Sequence, residues 1–578
     1  MIKRHISKAI GRPQRALAGI ALLLAACQPQ AASRADSPSE ATAAEAPPMT
    51  PSPFGHYLAA RQAEADHANS TAADFLSVTL ANDPDNPELL NESFLLLAAE
   101  GRLDQAAKLA ERIDKLDPKS PTAGMVLAAN DMVAGDFKAA DARLAKLPDE
   151  GVNKIVVPMA RAWLALADKR IDDAFASLEK LDAIPGLEPM AALHAGAIAD
   201  LAGRTDEAEA AFDKLLETES TTLRVVEIVG NYYQRHGQAD AARKLYDTFM
   251  AENRGSLALE PAIAALDAGT APPPVIADAR DGLAETFFNL GSVLSREQVA
   301  DTAMVFARIA LALKPDFPIG QTLLAEMLSG QNRTADAIAA YRAIRKDSPF
   351  SWNARIEAAR GLDDLDKTDE AVGVLTAMID ERKDRSDAAT ALGNVLRSHE
   401  RFAEAVKAYD IAIERITKPE LQHWSLYYFR GIALERDKQW PLAEADLEHA
   451  LELEPEQPYV MNYLAYTWVD QGLHLDEALK MLQRAVELKP DDGFIVDSLG
   501  WVYFRMGQYA KAVEMLERAV ELEPADSTIT DHLGDAYWKA GRTNEARFQW
   551  RRALLFKPEP DRVAPIEAKL DHGLVNGS

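Results

Sequence analysis

The segment Asp497-Ser498-Leu499-Gly500-Trp501-Val502-Tyr503, with Ala512, Leu516, Ala519 and Pro524 behind it, returns 34 residues later as Asp531-His532-Leu533-Gly534-Asp535-Ala536-Tyr537, with Ala546, Trp550, Ala553 and Pro558 in the matching places. Each copy reads as two amphipathic helices joined by a turn. Gly500 and Ala512 are small because the two helices approach closely there, and the proline ends the second helix. The prolines carry the phase outward: Pro84 to Pro118 and Pro315 to Pro349 are 34 apart, and Pro455 to Pro490 is 35. A period of this length belongs to helix-turn-helix solenoids.

Weaker copies run back through Gly431, Gly393, Ala325 and Gly291, paired with Ala443, Ala405, Ala337 and Ala303, and further to Gly230 with Tyr233, Ala242 and Tyr246, and Gly196 with Ala208 and Phe212. The pattern resembles the tetratricopeptide repeat (TPR). The resemblance implies an all-α fold, an α-solenoid of about fourteen hairpins in two superhelical arrays. Spacing reads as irregular between about 119 and 185. At Ala271-Pro272-Pro273-Pro274 successive prolines, which lack amide donors, interrupt the helical pattern. The expected layout is an N-terminal array over 53–270, a proline-rich joint over 271–282, a C-terminal array over 283–558 and a tail over 559–578. With 30 Gly and 31 Pro the chain does not sustain the apolar heptads of a coiled coil.

At 578 residues the chain is too long for one compact core, and repetition is how it grows. Its one cysteine excludes an internal disulfide. Formal charge is −27, and the first 27 residues hold Lys3, Arg4, Lys8, Arg12 and Arg15 with no acid, so the remainder is more acidic still. That surface repels phosphate backbones and anionic head groups, and nucleic acid is not an expected partner.

The basic start leads into the apolar run Ala16–Ala26, too short for the ~20 residues of a spanning helix and fitting a signal peptide. The run ends Leu24-Ala25-Ala26-Cys27, which resembles the lipobox of bacterial lipoproteins; residues 1–27 are then a lipoprotein signal with Cys27 the lipidated residue. The other reading is an ordinary secretory signal with Cys27 incidental. Gln28 after the cysteine, where enterobacterial lipoproteins kept at the inner membrane carry Asp, implies an outer-membrane anchor facing the periplasm. Residues 28–52, rich in Ala, Pro, Ser and Glu, read as a disordered tether.

In TPR arrays the first helices line the concave side, on residues spaced three, four and three apart. Here those are Tyr459, Asn462, Tyr466 and Val469; Phe494, Asp497, Trp501 and Phe504; and Thr528, Asp531, Asp535 and Trp538, with Arg505 and Lys539 beside them. The positions lie off the face that meets the second helix, so the aromatics read as partner anchors; alternatively Phe494, Trp501 and Phe504 pack on the following repeat. A groove with Asp497, Asp531 and Asp535 favours basic or neutral segments.

The 11 histidines include no His-Glu-x-x-His pair, and there is no P-loop, dinucleotide fingerprint or nucleophile elbow. Asp491-Asp492 and Asp363-Asp364 sit at junctions, where Asp favours turns and helix starts. No catalytic residue, metal or cofactor is expected. The last third, with Tyr459-Val460-Met461-Asn462-Tyr463-Leu464-Ala465-Tyr466 and Asp531-His532-Leu533-Gly534-Asp535-Ala536-Tyr537-Trp538, resembles the large TPR lipoproteins of Gram-negative bacteria. That resemblance implies a periplasmic scaffold binding proteins or peptides, such as an adaptor joining a carboxyl-terminal processing protease to cell-wall hydrolases. The alternative it leaves open is an assembly factor for outer-membrane or polysaccharide-export machinery.

Overall fold

A computed structural model describes residues 52–574 except 119, 182–183, 219–220 and 298–299. Cys27, the signal and nearly all of the tether lie outside the described residues. Among the described residues there are thirty α-helices, two short 3-10 turns and no strand. The fold is the all-α solenoid of TPR hairpins that the repeat implied.

Two constraints recur through the described hairpins. Over several of the glycines at the small first-helix position lies a bulky second-helix residue: a Cβ on Gly230, Gly393 or Gly534 would come within 2.2, 2.4 or 2.5 Å of Tyr246, Tyr409 or Trp550. Between the helices the chain turns through a residue of positive φ: Gly101 (75°), Gly135 (81°), Lys169 (60°), Gly203 (72°) and Gly237 (75°). These five are evenly spaced at one repeat length, so the stretch 119–185 keeps the register that its sequence hides. Lys169 masks the turn by holding a left-handed backbone that costs a side-chain-bearing residue roughly 1–2 kcal/mol. The second helices there, Phe137–Leu144 and Ile171–Leu178, are also cut to 8 residues each.

The described residues form two compact units, 52–371 and 372–574. The joint expected at 271–282 needs correction, because this segment sits inside the first unit. Asn231 Nδ2 donates to the Pro273 carbonyl (2.8 Å), and the helix Ala279–Arg296 packs back onto the helix Asn153–Ala167. Gly282 lies under the Trp163 ring, where a Cβ would fall 2.1 Å from it. Trp163 Nε1 donates to His194 Nδ1 at 2.9 Å, and Asn289 lies 3.2 Å from His194 Nε2. Burial holds the His194 pKa down at about 3, so the ring stays neutral.

Three arginines complete the closure of this unit by reaching the C-terminal ends of two early helices, Pro87–Ala99 and Pro121–Ala134. Arg280 Nη2 donates to the Val133 carbonyl (2.6 Å) and Arg308 Nε to the Ala99 carbonyl (3.1 Å). Arg333 grips Glu100 with two bonds of 2.6 and 2.9 Å, the side chains being 3% and 6% exposed. A planar guanidinium suits both tasks, since its donors match a carboxylate and an orphan carbonyl equally well.

In the second unit the expected tail also needs correction. Residues Pro560–His572 form a helix that buries Ile566 (2% exposed) and packs on the final hairpin as half of another repeat. Gly282→Ala should lower the stability of the first unit by about 1–3 kcal/mol, the range for overpacking a tight core. Denaturant unfolding followed by circular dichroism measures it.

Candidate functional site

The last two first helices of the second unit, Gly493–Arg505 and Ser527–Lys539, start at aspartate caps: Asp492 Oδ1 accepts from the amides of Phe494 and Ile495 (3.1 Å each), and Asp526 Oδ1 from those of Thr528 (2.8 Å) and Ile529 (2.9 Å). Asp363-Asp364 differs, closing the helix Ser351–Asp364 rather than opening one. Proline serves the start of Pro458–Gln471, whose first turn needs no amide donor.

Counted from the small residue of each first helix (Gly431, Ala465, Gly500, Gly534), the residue three before is Tyr428, Asn462, Asp497 and Asp531. The residue one after is Ile432, Tyr466, Trp501 and Asp535. Equivalent positions on successive helices make two columns, and the columns change character along the array.

At the C-terminal end the acids are already satisfied. His532 Nδ1 lies 3.0 Å from both Asp497 oxygens. Trp501 stacks on the His532 ring at 4.1 Å and 13°, and on Phe504 at 4.8 Å and 10°. Lys569, from the terminal helix, donates to Asp531 at 2.8 and 2.9 Å and to Asp535 at 2.8 Å, while Trp550 Nε1 donates to Asp535 at 2.9 Å. Burial raises the Asp497 carboxyl, with His532 opposing. Burial and then Asp531 push Asp535 up to about 6, against Lys569. Burial depresses the Lys569 ammonium, but Asp535 and Asp531 outweigh it and raise it overall.

Toward the other end the polar groups are unsatisfied. Tyr428 Oη, both amide atoms of Asn462 and Trp501 Nε1 are buried and find no hydrogen-bond partner. An unmet buried polar group costs about 1–3 kcal/mol, which is reason to ask what else meets it.

The groove residues named from sequence thus divide. Tyr459, Tyr466, Phe494, Trp501, Thr528, Trp538 and Lys539 are half-buried, Arg505 is exposed, and Asn462, Val469, Asp497, Phe504, Asp531 and Asp535 are buried. The expectation that the aromatics stand clear of the second helix is corrected for two of them: Phe504 meets Tyr509 (5.7 Å between ring centroids) and Trp538 meets Trp550 (5.5 Å). Both lie in the last turn of the first helix, where the chain swings toward its partner. Trp501 does pack on the following repeat, through His532. Sequence reasoning missed His532 and Lys569. The Val563, Ile566 and Leu570 spacing, an apolar stripe at helical period, was the signal for the helix that carries Lys569.

Among the described residues no group of three or more His, Cys, Asp or Glu side chains could hold a metal ion, and no helix is long and apolar enough to cross a membrane.

Tetratricopeptide repeat family models match residues 356–420, 390–458, 428–493 and 498–562, and a further one matches 97–164. The chain is therefore a TPR-containing protein. It is similar to the TPR repeat-containing protein PA4667 of Pseudomonas aeruginosa, 33% identical over 101 residues, which are 18% of this chain and 17% of that protein. It is similar also to tetratricopeptide repeat protein 13 of Homo sapiens, 26% identical over 218 residues, or 36% of this chain and 25% of that one. The chain thus spans a quarter or less of the length of these relatives. The solved APC/C hetero-tetramer Cut9-Hcn1 overlaps 90% of this chain and 96% of its own at 15% identity, with a TM-score of 0.36. None of these matches indicates a catalytic family.

Asp535 binds a proton more readily folded than unfolded, so its contribution to stability falls as pH rises from about 4 to about 6. Asp535→Asn should remove that component and flatten the pH profile over this window. Denaturant midpoints measured at intervals across it, for both chains, test the expectation.

Proposed function

We propose that this chain is a non-enzymatic adaptor, anchored by a lipidated Cys27 in the bacterial envelope, that holds polypeptide segments along the first helices of its second unit and presents them to a periplasmic processing protease. The observation that carries the reading is the pair of columns at Tyr428, Asn462, Tyr466 and Trp501. There, buried donors and acceptors without partners stand beside half-buried aromatic rings. A polypeptide segment would lie on the half-buried rings Tyr466 and Trp501, since tyrosine and tryptophan bury much area for little rotamer loss.

The distribution of charge narrows where a segment would lie. Asp497, Asp531 and Asp535 are buried and already hydrogen-bonded from within, Asp497 to His532 and both Asp531 and Asp535 to Lys569, so a ligand does not find these carboxylates free. Binding is centred instead on the repeats of Pro458–Gln471 and Gly493–Arg505, where Tyr459, Phe494 and exposed Arg505 flank the unmet polar groups.

Two experiments test separate parts. Tyr459→Ala with Arg505→Glu should weaken capture of envelope proteins by immobilised chain roughly tenfold, the loss of about 1.4 kcal/mol, with melting unchanged; undiminished capture would count against this groove. Cys27→Ser should move the protein from the membrane fraction to the soluble periplasmic fraction, and continued sedimentation with membranes would refute the anchor.

A further inference from the structure

Each second helix of the second unit turns a row of side chains outward, and the row changes sharply in the last hairpin. In three successive helices it reads Ala445, Glu448, Glu452, then Lys480, Gln483, Glu487, then Glu514, Glu517, Glu521. In the helix Thr543–Leu555 the same places hold Phe548, Arg551 and Leu555. Phe548 is 58% exposed and Leu555 76% exposed, the latter replacing a glutamate found at that place in all three preceding repeats.

The cations around this row are without carboxylate partners. Arg547 lies over the Trp538 ring, 5.2 Å from its centroid, and neither it nor Arg551 nor Lys557 makes an ion pair with a carboxylate among the described residues. Most arginines of this chain are paired, as Arg542 is with Glu517 at 2.9 Å and Glu545 at 3.1 Å. In the three preceding second helices this outward row is charged or polar except for Ala445. Here that face carries two protruding apolar side chains with unpaired cations between and beside them.

We propose that the outer face of the helix Thr543–Leu555 docks on a bilayer surface of anionic phospholipid. Phe548 and Leu555 stand exposed on one face of the helix, so they suit insertion among head groups. Arg547, Arg551 and Lys557 lie where they would meet the phosphates of the same lipids. The acidity of the whole chain opposes approach only at long range, since salt screens it beyond about 8 Å, and contact is governed by the local face. This inference goes beyond the adaptor reading and does not depend on Cys27: a lipid anchor fixes how near the membrane the chain stays, whereas this face fixes which side of the second unit it turns toward it.

The test uses the chain Gln28–Ser578, which holds every described residue and no acyl group, in flotation with vesicles of phosphatidylethanolamine and phosphatidylglycerol, and separately with vesicles of phosphatidylcholine alone. Expected are binding to the anionic vesicles, weakening with added salt, and a roughly tenfold or greater loss on Arg551→Glu or on Phe548→Ser with Leu555→Ser. The substituted positions are exposed, and circular dichroism melts confirm that the variants fold. Absence of flotation with anionic vesicles overturns the proposal, as does flotation that the variants retain. Self-association of the chain that these variants abolish, without vesicle binding, also overturns it and assigns the face to a second copy.

Discussion

The close approach of two helices over a small residue is the contact on which this architecture rests. Under Trp550 there is room at Gly534 for a hydrogen and nothing larger, and the same holds for Gly230 beneath Tyr246 and Gly393 beneath Tyr409. A bulky second-helix ring laid on the bare backbone of the first helix fixes the separation and rotation of the pair. The next hairpin inherits its position from that geometry. The columns of Tyr428, Asn462, Asp497 and Asp531 exist because this contact is copied faithfully, which brings one sequence position to one place on every first helix.

Repetition of geometry leaves the chemistry at each copy free to vary, and the second unit varies it in a graded way. At the end of the array the column is acidic and internally hydrogen-bonded, to a histidine of the neighbouring helix and to Lys569 of the terminal helix. Two rungs earlier it is neutral, buried and unpaired. The outer row changes character over the same hairpins, from glutamate to phenylalanine, arginine and leucine. Function in such a chain is written as departures from the repeat, not in the repeat.

The fold was legible in the sequence wherever small residues and prolines mark the repeat, as from Gly431 to Pro558, and obscure where the turn residue is not glycine. Lys169 occupies a left-handed turn with no compositional mark, and the shortened helices around it shift the apolar stripe. The proline run at 272–274 was legible as an interruption but not as an internal bend, because what makes it internal is the bond from Asn231 to Pro273 and the packing of the following Gly282 and Asn289 on Trp163 and His194, far away along the chain. Of the site, the first-helix positions could be counted out from the repeat. Their partners could not, since pairing of Asp497 with His532 or of Asp531 with Lys569 depends on how adjacent helices rotate. Lys569 was further concealed in what reads as a tail.

The arginine ties of the first unit bear on how the two halves of the chain come apart. A solenoid in which each hairpin touches only its neighbours behaves as a one-dimensional stack, able to fray from an end and to fold from any point inward. The second unit has that form. In the first unit Arg333 meets Glu100 across 233 residues of chain and Arg308 meets the Ala99 carbonyl across 209. Ordering so long a loop has to precede the gain from those bonds, which slows assembly and couples early hairpins to late ones. Between residues 99 and 333 the first unit is thereby a cooperative block, with only the hairpins outside that span left to fray one by one, while the second unit keeps the form of a ladder.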